Sequence, residues 1–217
     1  MGITSINPST GETIATYSPL TSEEIEKAID LGQRTFEQYQ KTESRQRSEW
    51  MHRAADVLDA QKAALGRLMS LEMGKTLKSA IAEVEKCAWV CRYYADESAG
   101  FLQDELAKTD ASESYVRFLP LGVLLAVMPW NFPLWQVFRA AAPALMSGNT
   151  MLLKHASNVP QCAIAIEAVF LEAGFPKGAF QTLLVGSKQV ESILADARVK
   201  AVTLTGSGPA GAAVAVT

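Results

Sequence analysis

Gly122-Val123-Leu124-Leu125-Ala126-Val127-Met128-Pro129-Trp130-Asn131-Phe132-Pro133 decides how this chain is read. An apolar run of strand length stops at two prolines that bracket a single amide side chain. Each proline fixes its own φ and biases the residue before it towards extended backbone. Asn131 is thereby presented from a stiff loop at the end of a buried strand, where open α/β sheets place their ligands. A fixed carboxamide there can donate its N–H to an oxygen that gains negative charge during a reaction. A tight turn around a buried tryptophan accounts for the same residues, and the rest of the sequence separates the two readings.

Downstream, short apolar runs alternate with helical segments. Gly122–Val127, Thr150–Leu153, Phe180–Val185 and Ala201–Leu204 are separated by amphipathic stretches, the first ending near Ser147. Strands at this spacing, each followed by a helix, predict parallel βαβ units covered on both faces. The fold class is therefore α/β, a doubly wound, Rossmann-like parallel sheet occupying residues 122–217. Upstream, residues 1–121 read as a helical region with small β elements. Asn7-Pro8-Ser9-Thr10-Gly11-Glu12 has the composition of a hairpin connection. Thr21 and Glu24 form a capping-box pattern ahead of Ile25, Ala28, Ile29, Gly32 and Phe36 at helical spacing. Further helices are predicted from about Ser44 to Met73, ending at Gly74, and from about Leu77 to Leu106. The alternation over Tyr115–Leu119 predicts a strand with two distinct faces.

Three places carry candidate chemistry. Lys154-His155-Ala156-Ser157 follows the second strand, with Lys154 expected where strand becomes loop. A lysine there can contact ribose hydroxyls or a phosphate, and Ser157 can donate to the same ligand; a solvated lysine before a helix cap reads equally well. Thr205-Gly206-Ser207-Gly208-Pro209-Ala210-Gly211 follows the fourth strand and opens a helix. Its glycines permit close backbone approach and the helix start offers free N–H groups to a pyrophosphate, although neither a GxGxxG nor a Walker pattern is present. Cys87, Cys91 and Cys162 are read as buried small hydrophobes, without metal-ligand or disulfide spacing. His52 falls in a helical run, and His155 borders the Lys154 loop.

Composition narrows the class. With 217 residues, 48% apolar and 20% charged, the chain is ordinary for a globular protein. A net charge of -3 gives no basic surface for nucleic acid. No apolar stretch reaches membrane-spanning length, and residues 1–8 lack the features of a signal peptide. The expected compartment is cytoplasmic.

Pro129-Trp130-Asn131-Phe132-Pro133, Leu152-Leu153-Lys154 and Leu204-Thr205-Gly206-Ser207 resemble, in order and spacing, motifs of the aldehyde dehydrogenase superfamily. Supporting stretches are Asn7–Glu12, Glu72-Met73-Gly74-Lys75, Pro143-Ala144-Leu145 and Gly148-Asn149. The resemblance covers nearly the whole chain. It implies oxidation of an aldehyde to an acid with hydride passing to a nicotinamide cofactor. By position, Asn131 resembles the side-chain half of an oxyanion hole. Met128, Pro129 and Trp130 resemble the wall beside the cofactor. Lys154, His155, Ala156 and Ser157 resemble the stretch at the adenosine ribose, Gly186 and Ser187 the adenine side, and Gly206 and Ser207 the pyrophosphate contact. Many NAD-preferring relatives carry a glutamate at the place of Ser157, and its absence here implies NADP rather than NAD. Leu134-Trp135-Gln136-Val137-Phe138-Arg139 continues in the manner of bacterial succinate-semialdehyde dehydrogenases. Trp135 and Arg139 would then bind substrate, Arg139 gripping a distal carboxylate, although a structural ion pair explains Arg139 as well. A broader-specificity aldehyde dehydrogenase and a non-catalytic cofactor-binding module remain alternatives. The resemblance further implies a homo-oligomer, and places the nucleophilic cysteine and the general-base glutamate beyond residue 217, so the chain alone is expected to be inactive and its cofactor domain incomplete. Gly208 departs from the larger residue common in relatives.

Overall fold

The structure, a computed structural model, describes residues 2–216. The chain opens with an antiparallel hairpin of β1 (Ile3–Ile6) and β2 (Thr13–Tyr17). Its connection uses Asn7 as expected: Oδ1 accepts from the Ser9 N–H at 2.9 Å, and Gly11 takes a left-handed φ of 76°. Helix α1 (Ser22–Tyr39) starts with the full capping box, Thr21 Oγ1 accepting from Glu24 N and the Glu24 carboxylate accepting from Thr21 N. Helix α2 (Ser44–Met73) runs for 30 residues and stops at Gly74, whose φ of 78° is the left-handed cap that glycine supplies. It packs along α3 (Leu77–Phe101), where Gly66 lets the backbone of Ile81 approach closely.

Helix α3 ends at Phe101, short of the expected Leu106. Glu105–Leu106 instead forms β3, paired with β4 (Tyr115–Val116) in a two-stranded ribbon. A bidentate contact from Arg117 to Asp104 straps the ribbon. The strand predicted over Tyr115–Leu119 shrinks to two residues because neither of its faces meets a core; Leu106 is 86% exposed and Leu119 74%.

Four parallel strands follow: β5 (Val123–Met128), β6 (Thr150–His155), β7 (Phe180–Thr182) and β8 (Val199–Leu204), in the order β7-β6-β5-β8. The chain winds outward from β5 through β6 to β7 and returns to add β8 on the other side of β5. The order therefore reverses at β5/β8, the switch point at which such sheets bind ligands. Strand β6 is longer than its apolar run. Pairing of Val127 with Lys154 and of Met128 with His155 carries both polar residues into the strand, where a loop was expected. Strand β7 stops at Thr182, earlier than Val185.

Alternation sends successive strand residues to opposite faces. Ala126, Met128, Met151 and Leu153 join one core with α4 (Trp135–Met146), α5 (Pro160–Glu172), α2 and α3. Val123, Leu125 and Leu152 join a second core with Ile25 and Ile29 of α1 and with Val190 and Ile193 of α6 (Val190–Leu194). Residues from the first hundred thus cover both faces of the sheet. A last helix, α7 (Gly208–Ala215), follows β8.

Helices α4 and α5 are held at both ends by charged side chains from α2 and α3. At the start of α4, buried Glu83 accepts the N–H groups of Leu134 (2.9 Å) and Trp135 (3.0 Å). At its end, Arg47 Nε donates to Met146 O (2.9 Å) and Tyr39 Oη to Leu145 O (3.0 Å). At the start of α5, buried Glu72 accepts from Gln161 N (2.9 Å) and Cys162 N (2.8 Å), and at its end Arg53 Nε donates to Ala173 O (2.7 Å). Negative charge meets helix starts and positive charge meets helix ends, the arrangement the helix dipole favours.

Candidate active site

Strand β5 ends at Met128, and its last two side chains face opposite ways. Met128 lines a hollow of about 410 Å³ with Trp89, Tyr93, Tyr94, Trp135 and Arg139. Val127 lines a cleft of about 280 Å³ with Lys154, Ser187, Lys188, Glu191 and residues of α7. The loop carrying Asn131 leaves directly from the strand end that divides these spaces.

That loop is pinned after Asn131. His155 Nε2 lies 2.8 Å from Pro133 O, and His155 Nδ1 lies 2.8 Å from Ala156 N. A carbonyl only accepts and a backbone N–H only donates, so the ring is the neutral Nε2–H tautomer. Burial pushes its pKa down to about 4, outweighing the hydrogen bond to Pro133. Both ring nitrogens are thus committed to the protein, and the imidazole ties β6 to the loop rather than facing a ligand. Asn131 itself is exposed. Its Oδ1 accepts from Phe132 N at 3.1 Å, which leaves Nδ2 without a protein partner among the described residues.

In the larger hollow, Arg139 donates through Nη2 to Thr205 Oγ1 at 3.0 Å and has no carboxylate partner among the described residues. Trp135, one turn earlier, carries the Lys86 ammonium over its ring at 4.0 Å. The two predicted substrate residues therefore share one helix face and one cavity.

In the cleft, Lys154 is half-buried with no hydrogen-bond or ion-pair partner among the described residues, and desolvation lowers its pKa. Ser187 stands on the opposite rim, after Gly186, whose N–H is taken by Gln189 Oε1 at 2.7 Å. Ser207 caps α7 by accepting from Ala210 N at 3.3 Å; it and Gly206 are exposed and are not among the residues that line the cleft, whose wall here is formed by Ala210, Ala213 and Val214. Ala156 and Ser157 turn away from this lining and border a smaller hollow with Ile3. Pro129 is partly buried and Trp130 is half exposed beside Asn131.

Cys87, Cys91 and Cys162 are buried, and burial raises each thiol well above its ordinary value. None is suited to act as a thiolate. Sequence reasoning missed the aromatic wall from α3. Trp89 and Tyr93 are four apart, stacked with centroids 5.8 Å apart and largely exposed, and an aromatic pair off the core-facing stripe was the available signal. It also missed Glu83 and Lys188.

A family model for the aldehyde dehydrogenase family matches residues 1–217. A probable succinate-semialdehyde dehydrogenase [NADP(+)] of Synechocystis sp. is 55% identical over 215 residues, covering 99% of this chain and 47% of that protein. Succinate-semialdehyde dehydrogenase [NADP(+)] 1 of Mycobacterium bovis is 54% identical over 217 residues, covering 99% of this chain and 48% of that protein. The crystal structure of succinic semialdehyde dehydrogenase from Streptococcus pyogenes in complex with NADP+ superposes with a TM-score of 0.95 at 34% identity, covering 98% of this chain and 47% of that one. The chain spans about half the length of the curated relatives it matches. Motif order, sheet topology and the match along the whole chain agree: the chain belongs to the aldehyde dehydrogenase family.

Proposed function

We propose that this chain supplies the oxyanion donor and the dinucleotide site of an NADP-dependent enzyme that oxidises succinate semialdehyde to succinate. The observation that carries the proposal is the exposed amide of Asn131, held on a pinned loop between a hollow with Arg139 and a cleft with Lys154, neither of which has a carboxylate partner among the described residues. The aldehyde would lie in the hollow with its distal carboxylate on Arg139, whose planar guanidinium suits a carboxylate. Asn131 Nδ2 would donate to the aldehyde oxygen as negative charge grows on it.

The cleft fits a phosphorylated dinucleotide. Lys154 is a half-buried cation with no ion-pair partner among the described residues, and Lys188 adds a second. The turn after β6 carries Ser157 and no carboxylate, so that turn adds no charge against a 2′-phosphate, and the acidic side chain that does line the cleft is Glu191. When bound, the nicotinamide would accept hydride from the aldehyde carbon. The three buried thiols do not serve as nucleophile, and this chain's share of the chemistry is binding, orientation and charge stabilisation.

A second reading, a broader aldehyde specificity, is favoured by the aromatic walls of the hollow, Trp89, Tyr93, Tyr94 and Trp135. The native full-length protein separates the two. Asn131→Ala is expected to lower kcat about 10²-fold to 10³-fold for every aldehyde, the usual cost of one oxyanion donor. Arg139→Ala is expected to raise KM for succinate semialdehyde and to spare an uncharged aldehyde of similar length. Equal loss on both aldehydes would assign Arg139 a structural role and favour the broader reading. Calorimetric titration should give tighter binding of NADP+ than of NAD+, and equal affinities would remove the argument from Ser157.

A further inference from the structure

Among the described residues, the Asn131 side chain has no tertiary hydrogen bond and is met only by the adjacent Phe132 N–H. Its direction is therefore set by the residues that follow it, and each of these is tied to another element. Pro133 O is held by His155. Leu134 N and Trp135 N both donate to Glu83 Oε1. The other oxygen of Glu83 is ion-paired with Lys75 Nζ, and the same ammonium sits over the Phe132 ring at 3.7 Å. This pair is deeply buried, its side chains 2% and 9% exposed for Glu83 and Lys75. A buried ion pair of this kind is poor evidence of stabilisation for its own sake, because an apolar pair of the same volume often serves as well. What it does provide is direction. One carboxylate fixes the first turn of α4, and its counter-ion fixes the ring next to the amide.

We propose that Glu83 and Lys75 are positioning residues for Asn131, holding residues 132–135 in the conformation that aims the Asn131 amide at the reacting oxygen. The proposal rests on the oxyanion reading of Asn131 given above. It assigns function to two side chains that touch neither substrate nor cofactor and that lie on α3 and on the turn before it.

The test is a kinetic cycle on the native full-length protein with succinate semialdehyde and NADP+. Glu83→Gln and Lys75→Met should each lower kcat about 10-fold to 100-fold, the range that a misplacement of about 1 Å costs, with KM for the dinucleotide unchanged. In the Asn131→Ala background the same substitutions should cost nothing further, because the group they aim is gone. Lys75→Arg, which keeps the charge, should restore most of the lost kcat. Phe132→Leu guards against a variant that fails to fold, since Phe132 is half exposed; it should lower kcat in the same direction by a smaller factor. Equal fractional losses with and without Asn131, or parental kcat in folded Glu83→Gln and Lys75→Met, would overturn the proposal. Parental kcat in Asn131→Ala would instead remove the oxyanion reading, and with it the object that Glu83 and Lys75 are said to position.

Discussion

At residue scale, His155 shows how one ring can be structural and titratable together. Its folded pKa of about 4 lies below the ordinary 6.5, so between these values the unfolded chain takes up a proton that the folded chain refuses. The stability contributed by the neutral ring is complete above about pH 6.5 and is lost as the pH falls towards 4. Between pH 7 and pH 5 this one group should account for about 2 kcal/mol of lost stability. A glutamine can keep a donor towards Pro133 O and cannot titrate. Urea unfolding of His155→Gln at the two pH values should therefore show a pH dependence smaller than the parent's by about that amount; an unchanged slope would mean that the ring is hydrated or charged in solution. Lys154 and His155 also mark a limit of sequence reading. Their polarity suggested a loop, and it is the ladder to Val127 and Met128, remote in sequence, that makes them strand.

At the scale of elements, locally encoded boundaries were legible and remotely encoded ones were not. Thr21 with Glu24 and the glycine at 74 announce the start of α1 and the end of α2, because the groups they satisfy are a few residues away. Glu72 and Glu83 look like ordinary helix-surface glutamates in the sequence. The N–H groups they satisfy lie at Gln161 and Leu134, and no periodicity within α2 or α3 reports them. Glu72 is buried and receives two backbone donors that have no other acceptor in its place. Glu72→Ala should accordingly cost about 3 kcal/mol, the range for leaving buried donors unmet and losing charged hydrogen bonds. Chemical denaturation followed by circular dichroism measures it, and a loss below about 1 kcal/mol would show that water replaces the carboxylate freely. The motif Pro129–Pro133 was readable as a ligand-presenting loop because prolines act on their own backbone; the side chains that aim it come from α3, from the turn before it and from β6.

For the whole molecule, the change of pattern at residue 122 marks a change of element type, and the packing runs across it. Val123, Leu125 and Leu152 are covered by Ile25 and Ile29 from the first helix. A fragment of residues 122–217 should therefore lack a cooperative thermal transition and bind a hydrophobic dye, since one face of its sheet would meet water. A sharp melting transition in that fragment would show that the sheet region is an independent folding unit. The same interdependence reaches into α2. Its Arg53 holds the end of α5 and its Glu72 holds the start, so the stretch between them works as a ruler laid antiparallel to that helix. Adding or removing one residue within 54–71 would shift Glu72 by about 1.5 Å along the axis and about 100° around it, and one end of α5 would lose its clasp. Length in this stretch is thus held under tighter constraint than residue identity, whereas the exposed connection at 107–113 is free to grow or shrink. Divergence in this chain should accumulate there as insertions and along α2 as substitutions only.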